Sequence, residues 1–435
     1  MDGIGLGFAG LAVVVVLLVF RVPIGIALGG TALAGIWMLV GPRAALGMLA
    51  EVPYEFTAHW TLSSIPMFLL MGYIAFYSKI TESLFRAAQA WMGRLPGGLG
   101  VASVAGAAAF SAVTGSSLAA AAAMGRIAAP EMIRFGYHPG FSAGIVAAAG
   151  TLGSMIPPSI ALIVYGVFAE VSIGKLFIAG VIPGLLTALF YSTVIVGRVV
   201  VTPSLAPRTP DRPDWRARMA SLWDSWPFVL LLIGVFGGLF AGIFTPTEAG
   251  AVGAFLAAVI AIAKRALTWK VFVQAVVETI HGTASIFFIA IGAALLTRFL
   301  AFTGVPDFLS EQITALGLGP LHLMFMICAL YIFLGMFLDP LGCMLLTLPI
   351  LLPILEAMDM DLIWFGIILV KLLEIGLITP PVGLNVFVIK SFMGDQVALT
   401  SIFRGVTWFI VADLLLLLVM VLVPAIVLFL PQYVR

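Results

Sequence analysis

The sequence predicts an all-α, polytopic membrane protein of about ten transmembrane helices plus two re-entrant helical hairpins, arranged as two inverted-topology repeats. Three observations lead there: the composition, the lengths of the apolar runs, and a repeated spacing of helix-breaking residues. Of 435 residues, 62% are hydrophobic and 9% are Asp, Glu, Lys or Arg, with a mean hydropathy of +1.20. An ordinary soluble domain is about 45–50% apolar and about 25% charged. The gap excludes a soluble enzyme, a nucleic-acid binder and a disordered chain. The formal net charge of +1 says nothing about partners. Cys328 and Cys343 both lie in apolar segments and match neither a disulfide framework nor a metal-ligand spacing.

Met1-Asp2-Gly3 carries no basic region of the kind that opens a cleaved signal peptide, so the N-terminus is expected to stay in the mature chain. About 20 apolar residues are needed to cross about 30 Å of hydrocarbon. Runs of that length fall near 4–20, 22–41, 60–77, 140–168, 176–199, 225–244, 246–263, 274–301, 361–389 and 403–430. Two further apolar regions, 98–134 and 319–358, are interrupted midway, by Thr114-Gly115-Ser116-Ser117 and by Asp339-Pro340 with Gly342. Each reads as two half-helices around a turn, because non-helical backbone at membrane depth survives only inside protein or against a wet cavity. The loop 200–224 carries Arg208, Arg212, Arg216 and Arg218, and Lys264, Arg265 and Lys270 fall on the same face two spans later. Taking that face as cytoplasmic places 16 of the 21 basic residues inside and the N-terminus in the periplasm.

The repeat is written in the offsets. TLGSMIPPSIALIVYG (151–166) resembles EIGLITPPVGLNVFVI (374–389), and aligning their Pro-Pro pairs gives an offset of 223. The same offset places Gly153 on Gly376, Pro130 on Pro353, and Ser116-Ser117 on Asp339-Pro340. The first repeat is therefore 1–199, with hairpin 98–134 and broken helix 140–168; after the loop 200–224 comes the second, 225–435, with hairpin 319–358 and broken helix 361–389. Five crossings per half, an odd number, make the second half enter from the opposite side. Discontinuous helices in inverted repeats mark secondary transporters, with binding sites where the breaks meet.

A broken helix frees carbonyls at one new end and N–H groups at the other, and each is costly unless it binds something. Carbonyls and hydroxyls suit a hard cation, and the positive N-terminal ends of half-helices suit a carboxylate. Gly115, Pro157, Pro158, Pro380 and Pro381 are the helix-breaking residues: the prolines have no N–H, and the glycine permits a tight turn. The oxygens on offer are the hydroxyls of Ser111, Thr114, Ser116, Ser117 and Thr379, the carbonyls around Gly153–Pro158, Gly335 and Gly376, and the side chains of Asp339 and Asn385. The alanine-rich run 118–125 reads as helix packing. Lys371 and Glu374, one turn apart, are expected to pair with each other. Asp413 lies near a span end and receives no role, and Asp339 either caps the half-helix that follows or contacts ion or substrate. No nucleophile–base pair, zinc motif or nucleotide-binding loop is present, so energy must come from an ion gradient or another chain.

At these residues the chain resembles the large membrane (M) subunit of the tripartite ATP-independent periplasmic (TRAP) transporters. The resemblance is carried by FRVPIGIALG (20–29), AVTGSSLAAAAAMG (112–125), GTLGSMIPPSIALIVYG (150–166), AGIFTPTEAGAVGA (241–254), GMFLDP (335–340) and LITPPVGLNVFV (377–388). It implies Na⁺-driven import of an organic acid across the bacterial inner membrane, by an elevator motion of a transport domain against a scaffold. It also implies two separate partners, a small four-helix membrane subunit (Q) and a periplasmic substrate-binding protein (P). Carried over by motif, one Na⁺ site would use Ser111 with the carbonyls of Gly153, Ile156 and Pro158, and a second would use Gly335, Gly376, Thr379 and Val382. Substrate would lie near Ser116, Ser117, Asp339, Pro340 and Asn385. Thr114 departs from the family pattern, which has Ser there; the hydroxyl is kept and a methyl added. Two other readings stay open: a single-component ion-coupled anion transporter of the same architecture, and an ion channel.

Overall fold

The computed structural model describes residues 3–207, 214–317 and 319–433; Arg208 and Arg212 of the basic loop lie outside the described residues. Every regular element described is helical, as a chain in lipid requires when its backbone groups must be satisfied within the segment. The chain opens with α1 (Gly3–Val19), α2 (Ile24–Leu39), α3 (Pro42–Thr57), α4 (Ser64–Tyr77) and the amphipathic α5 (Glu82–Met92). A tight hairpin follows, α6 (Gly98–Thr114) and α7 (Ser117–Arg134). Next comes one helix in three pieces, α8 (Pro139–Gly150), α9 (Leu152–Met155) and α10 (Ile160–Phe168), and then the long α11 (Ile173–Val201).

The later part begins with α12 (Trp215–Asp224), α13 (Trp226–Leu232) and α14 (Gly238–Phe240), the last two joined by a π-helical turn. It continues through α15 (Pro246–Ala263), α16 (Trp269–Thr303) and α17 (Val305–Ala315). A second hairpin, α18 (Pro320–Gly335) and α19 (Pro340–Ala357), precedes a second broken helix, α20 (Leu362–Gly376) and α21 (Leu384–Met393), and then α22 (Leu399–Leu422). Hairpin, broken helix and long helix thus recur in the same order. The Thr-Pro-Thr-Glu turn has a local explanation. Thr245 caps α15, its hydroxyl taking the Glu248 N–H at 3.3 Å, while the Glu248 carboxylate takes the Thr245 N–H at 2.8 Å. This is a capping box with Pro246 at the first helical position, where its missing N–H costs nothing.

Among the described residues seven helices are long and apolar enough to cross a bilayer, or eight if the pair bent by 48° around Ser225 counts as one. Helices α1, α2, α6 and α18 are apolar but shorter. At 17 and 16 residues, α1 and α2 rise only about 25 Å, less than the hydrocarbon thickness of about 30 Å. The run 403–430 does not stay helical throughout: α22 ends at Leu422, ahead of Pro424, which cannot continue the ladder. The opposite holds for α16, whose 35 residues exceed any hydrocarbon thickness and require tilt or protruding ends. It packs along α2, α4, α3 and α19. Broken helices, hairpins, α11 and α22 interlock through α7–α8, α8–α22, α7–α21, α18–α20 and α11–α20 contacts. One apolar core lies among α6, α7, α8, α21 and α22; a larger one fills the rest.

Candidate functional site: hairpin tips seated on broken helices

Gly115 makes the first tip possible. It takes a left-handed φ of +60° and gives its N–H to the Ser111 carbonyl at 3.0 Å, closing α6. Ser116 is extended, and its hydroxyl takes the Ala119 N–H at 3.4 Å, opening α7. The turn rests on the first break. The Ile160 N–H reaches the Gly115 carbonyl at 3.3 Å, and a methyl built on Gly153 would fall 2.5 Å from Ser116 and Ser117 backbone atoms. Only a residue without a side chain allows that approach. Beyond Pro157-Pro158, Ser159 caps α10 by taking the Leu162 N–H at 3.3 Å.

The second tip is built differently, over residues 336–339 between α18 and α19. Asp339 caps α19, its carboxylate taking the Gly342 N–H at 2.9 Å. Gly335, the last residue of α18, lies against Gly376, the last of α20; a methyl on Gly376 would fall 2.7 Å from the Gly335 carbonyl oxygen. The chain then runs through Leu377–Val382, with Val382 half-buried, to a left-handed Gly383. Asn385 is fully buried: its backbone N–H reaches the Leu377 carbonyl at 3.0 Å and its Nδ2 the Ala147 carbonyl at 3.2 Å. Both Pro-Pro bonds, Pro157-Pro158 and Pro380-Pro381, are cis.

The oxygens around the breaks are neutral hydroxyls and carbonyls, the donor type that hard cations take. Ser111 and Thr379 are buried, and each donates its hydroxyl hydrogen to a carbonyl one turn back, Ala107 and Ile375, both at 2.6 Å. What remains on each oxygen is lone-pair density. Pro157 and Pro158 cannot donate to the Gly153 and Ser154 carbonyls, and Pro380 leaves Gly376 with a 3.2 Å contact from the Thr379 N–H. Among the described residues, Asn385 Oδ1 is a buried acceptor without a partner. The predicted substrate positions separate. Ser116 and Thr114 line a cavity of about 540 Å³ that also meets Tyr73, Tyr77, Arg126 and Glu278. Ser117 and Asn385 are buried, and Asp339 and Pro340 do not line that cavity.

The family model for the tripartite ATP-independent periplasmic transporter, DctM component, matches residues 11–426. The chain belongs to this family. Like its relatives, it is a transporter permease of the TRAP class with several apolar helices. The C4-dicarboxylate TRAP transporter large permease protein DctM of Pseudomonas aeruginosa is 37% identical over 399 residues, 91% of this chain and 92% of that one. The sialic acid TRAP transporter large permease protein SiaM of Vibrio cholerae is 31% identical over 417 residues, covering 96% of both. Among solved structures, the YdaH transporter of Alcanivorax borkumensis shares the fold, with a TM-score of 0.57 at 13% identity over 87% of this chain and 88% of that one.

Two polar connections escape a reading by local spacing. Lys371 and Glu374 do not pair with each other. Lys371 Nζ lies 2.5 Å from Asp413 and 3.1 Å from Thr187 Oγ1, both partners buried. Asp413 sits midway along α22, not at a span end, and also takes the Tyr191 hydroxyl at 2.6 Å, with Thr151 2.9 Å beyond. Glu374 instead receives the Ser117 hydroxyl of the first hairpin, 2.7 and 2.8 Å from its two oxygens. Sequence offers only one signal for either link, an ionisable residue inside an apolar run, which names the residue and not its partner.

Proposed function

We propose that this TRAP-family permease is the large membrane subunit of a Na⁺-coupled importer of small organic acids in the bacterial inner membrane, with its N-terminus in the periplasm. The observation that carries the reading is the seating of each hairpin tip on a broken helix, where hydroxyls with committed hydrogens meet carbonyls without helical donors. One Na⁺ would be held by Ser111 with the carbonyls of Gly153, Ile156 and Pro158, and another by Gly335, Gly376, Thr379 and Val382. Neutral oxygens at the C-terminal ends of half-helices are the means by which discontinuous helices take cations. The N-terminal ends of α7, α10, α19 and α21 supply positive dipole ends for a carboxylate. C4-dicarboxylates and sialic acid, named for the two relatives, share that group. We place substrate first against Ser116 in the 540 Å³ cavity, with Ser117, Asp339, Pro340 and Asn385 joining as the site closes. Hairpins and broken helices form the moving transport domain of an elevator; α1–α4, α15 and α16 form the scaffold. A four-helix membrane subunit braces the scaffold, and a periplasmic protein delivers the acid.

Reconstitution tests this. Uptake of a labelled C4-dicarboxylate or sialic acid into proteoliposomes holding this chain and its small subunit should need both the binding protein and an inward Na⁺ gradient. Thr379→Val should raise the Na⁺ concentration for half-maximal uptake several-fold, at the scale of one lost hydroxyl ligand of about 1 kcal/mol. Uptake by this chain alone, or uptake indifferent to Na⁺, would sink the proposal.

A further inference from the structure

Glu374 is 1% exposed at the last turn of α20, and among the described residues no Lys, Arg or His lies within ion-pair distance of it. Lys371, one turn back, is committed to Asp413 and Thr187, so that pair balances itself and leaves the Glu374 charge over. The neighbours that reach Glu374 are neutral. Ser117 Oγ lies 2.7 and 2.8 Å from the two carboxylate oxygens and 2.8 Å from Ser154 Oγ. A hydroxyl has one hydrogen. With that of Ser117 given to the carboxylate, Ser154 must be the donor of the second bond. The chain of bonds runs from Ser154, beside Gly153 just ahead of the first break, through Ser117 at the first tip, to Glu374, two residues before Gly376 at the edge of the second break.

An ionised carboxylate buried without a base is strongly unfavourable unless something positive shares the space; without it the group takes a proton and is neutral. Gln here would keep the shape and most of the hydrogen bonding without the charge. The charge sits between two sets of oxygens that suit cations, tied to one through the Ser117 and Ser154 hydroxyls and to the other by the chain. We propose that Glu374 is a positioning residue that fixes Ser117 and Ser154 beside the first break and supplies the negative charge balancing the cations held at both breaks. It therefore couples them: a cation at either break is favoured by the same charge, and the Ser117 bond transmits the arrangement of the second broken helix to the first tip. The inference rests on the cation reading of the breaks given above.

The test is Na⁺-dependent protection of the purified full-length chain in detergent, followed by its thermal unfolding midpoint as NaCl replaces choline chloride at constant ionic strength. Protection of the wild type by Na⁺ and not by K⁺ is expected; its absence overturns the cation reading, and this inference with it. Where the wild type is protected, Glu374→Gln should raise the half-maximal Na⁺ concentration about tenfold, and Ser117→Ala about threefold, as befits one lost hydrogen bond to a charged group. Glu374→Asp keeps the charge and should stay closer to wild type than Gln. The midpoint in choline reports any purely structural damage, and the half-maximal Na⁺ concentration reports the charge. A Glu374→Gln chain that binds Na⁺ as the wild type does overturns this inference and leaves the cation reading standing. If Gln does not accumulate as folded protein, Ser117→Ala decides in the same way, an unchanged half-maximal concentration overturning the proposal.

Discussion

The two broken helices share an alignment and differ in nearly everything that fills it. The first break is short, Ile156 to Ser159, with both prolines buried beneath α11, whose Gly180 and Gly184 lie against Met155 and Ile156. The second, Leu377 to Gly383, is longer and leaves Pro380 and Pro381 exposed. On the first broken helix the positions 223 residues before Lys371 and Glu374 are Ala148 and Thr151. The second therefore carries the ionic side chains and the first a neutral hydroxyl, which reaches the same network through Tyr191. Spacing and backbone breaks are held in common, and polar chemistry is assigned to one half. Lys371 and Asp413 both belong to the second half, and the halves are tied where that pair reaches Thr187 and Tyr191 of α11.

The sharpest way to break that comparison is to remove the charge from the second half alone. Lys371→Met leaves Asp413 buried and unpaired, which should cost about 3–5 kcal/mol of stability. Removing the matched hydroxyl, Thr151→Val, should cost about 1 kcal/mol, the scale of one hydrogen bond. Unfolding midpoints in detergent measure both, and adding Asp413→Asn to Lys371→Met should recover much of the loss. Equal losses for Lys371→Met and Thr151→Val would mean that the two halves carry the network alike.

Much of this was legible in the residues. Pro-Pro pairs, Gly115, Gly153 and Gly376 announce the breaks, because missing N–H groups and missing side chains act locally. The partners of Lys371 and Glu374 were not legible. Local spacing suggested each for the other, yet Lys371 reaches 42 residues on and Glu374 reaches 257 back. Nothing in a helical period encodes which distant helix supplies a partner. Asp413 lies in the middle part of α22, and its partners Lys371 and Tyr191 come from α20 and α11, which the apolar run 403–430 alone does not name. Asp339 was ambiguous between cap and ligand, and the structure gives its carboxylate to the Gly342 N–H. The substrate positions were grouped by motif, and only Ser116 of that group opens onto the cavity.

The next test compares the close approaches. Gly153→Ala drives a methyl into Ser116–Ser117 backbone, and Gly376→Ala drives one toward the Gly335 carbonyl. Each is overpacking against main chain, which should cost about 1–3 kcal/mol. Gly153→Ala should be the worse, since its neighbours at 2.5 Å are all backbone of the tip, whereas the nearest atom to Gly376 stands at 2.7 Å at a helix end. Thermal midpoints rank them. Loss confined to Gly376→Ala would place the tighter contact in the second half and reverse the comparison.

The smallest effects come from the caps. Ser159→Ala and Asp339→Ala each remove one side-chain acceptor from a half-helix start, worth about 1 kcal/mol, with a range of about 0.5–2. The two should nonetheless separate. Asp339 brings a charge to the positive end of α19, an 18-residue helix, while Ser159 brings a neutral hydroxyl to α10, of 9 residues. The dipole adds about 0.3–1 kcal/mol for a charged cap, so Asp339→Asn, which keeps the acceptor and drops the charge, isolates that increment. If Asp339→Asn leaves the unfolding midpoint unchanged while Asp339→Ala lowers it, the hydrogen bond alone opens the second half-helix. The first break and the second tip would then be capped by the same interaction in different residues.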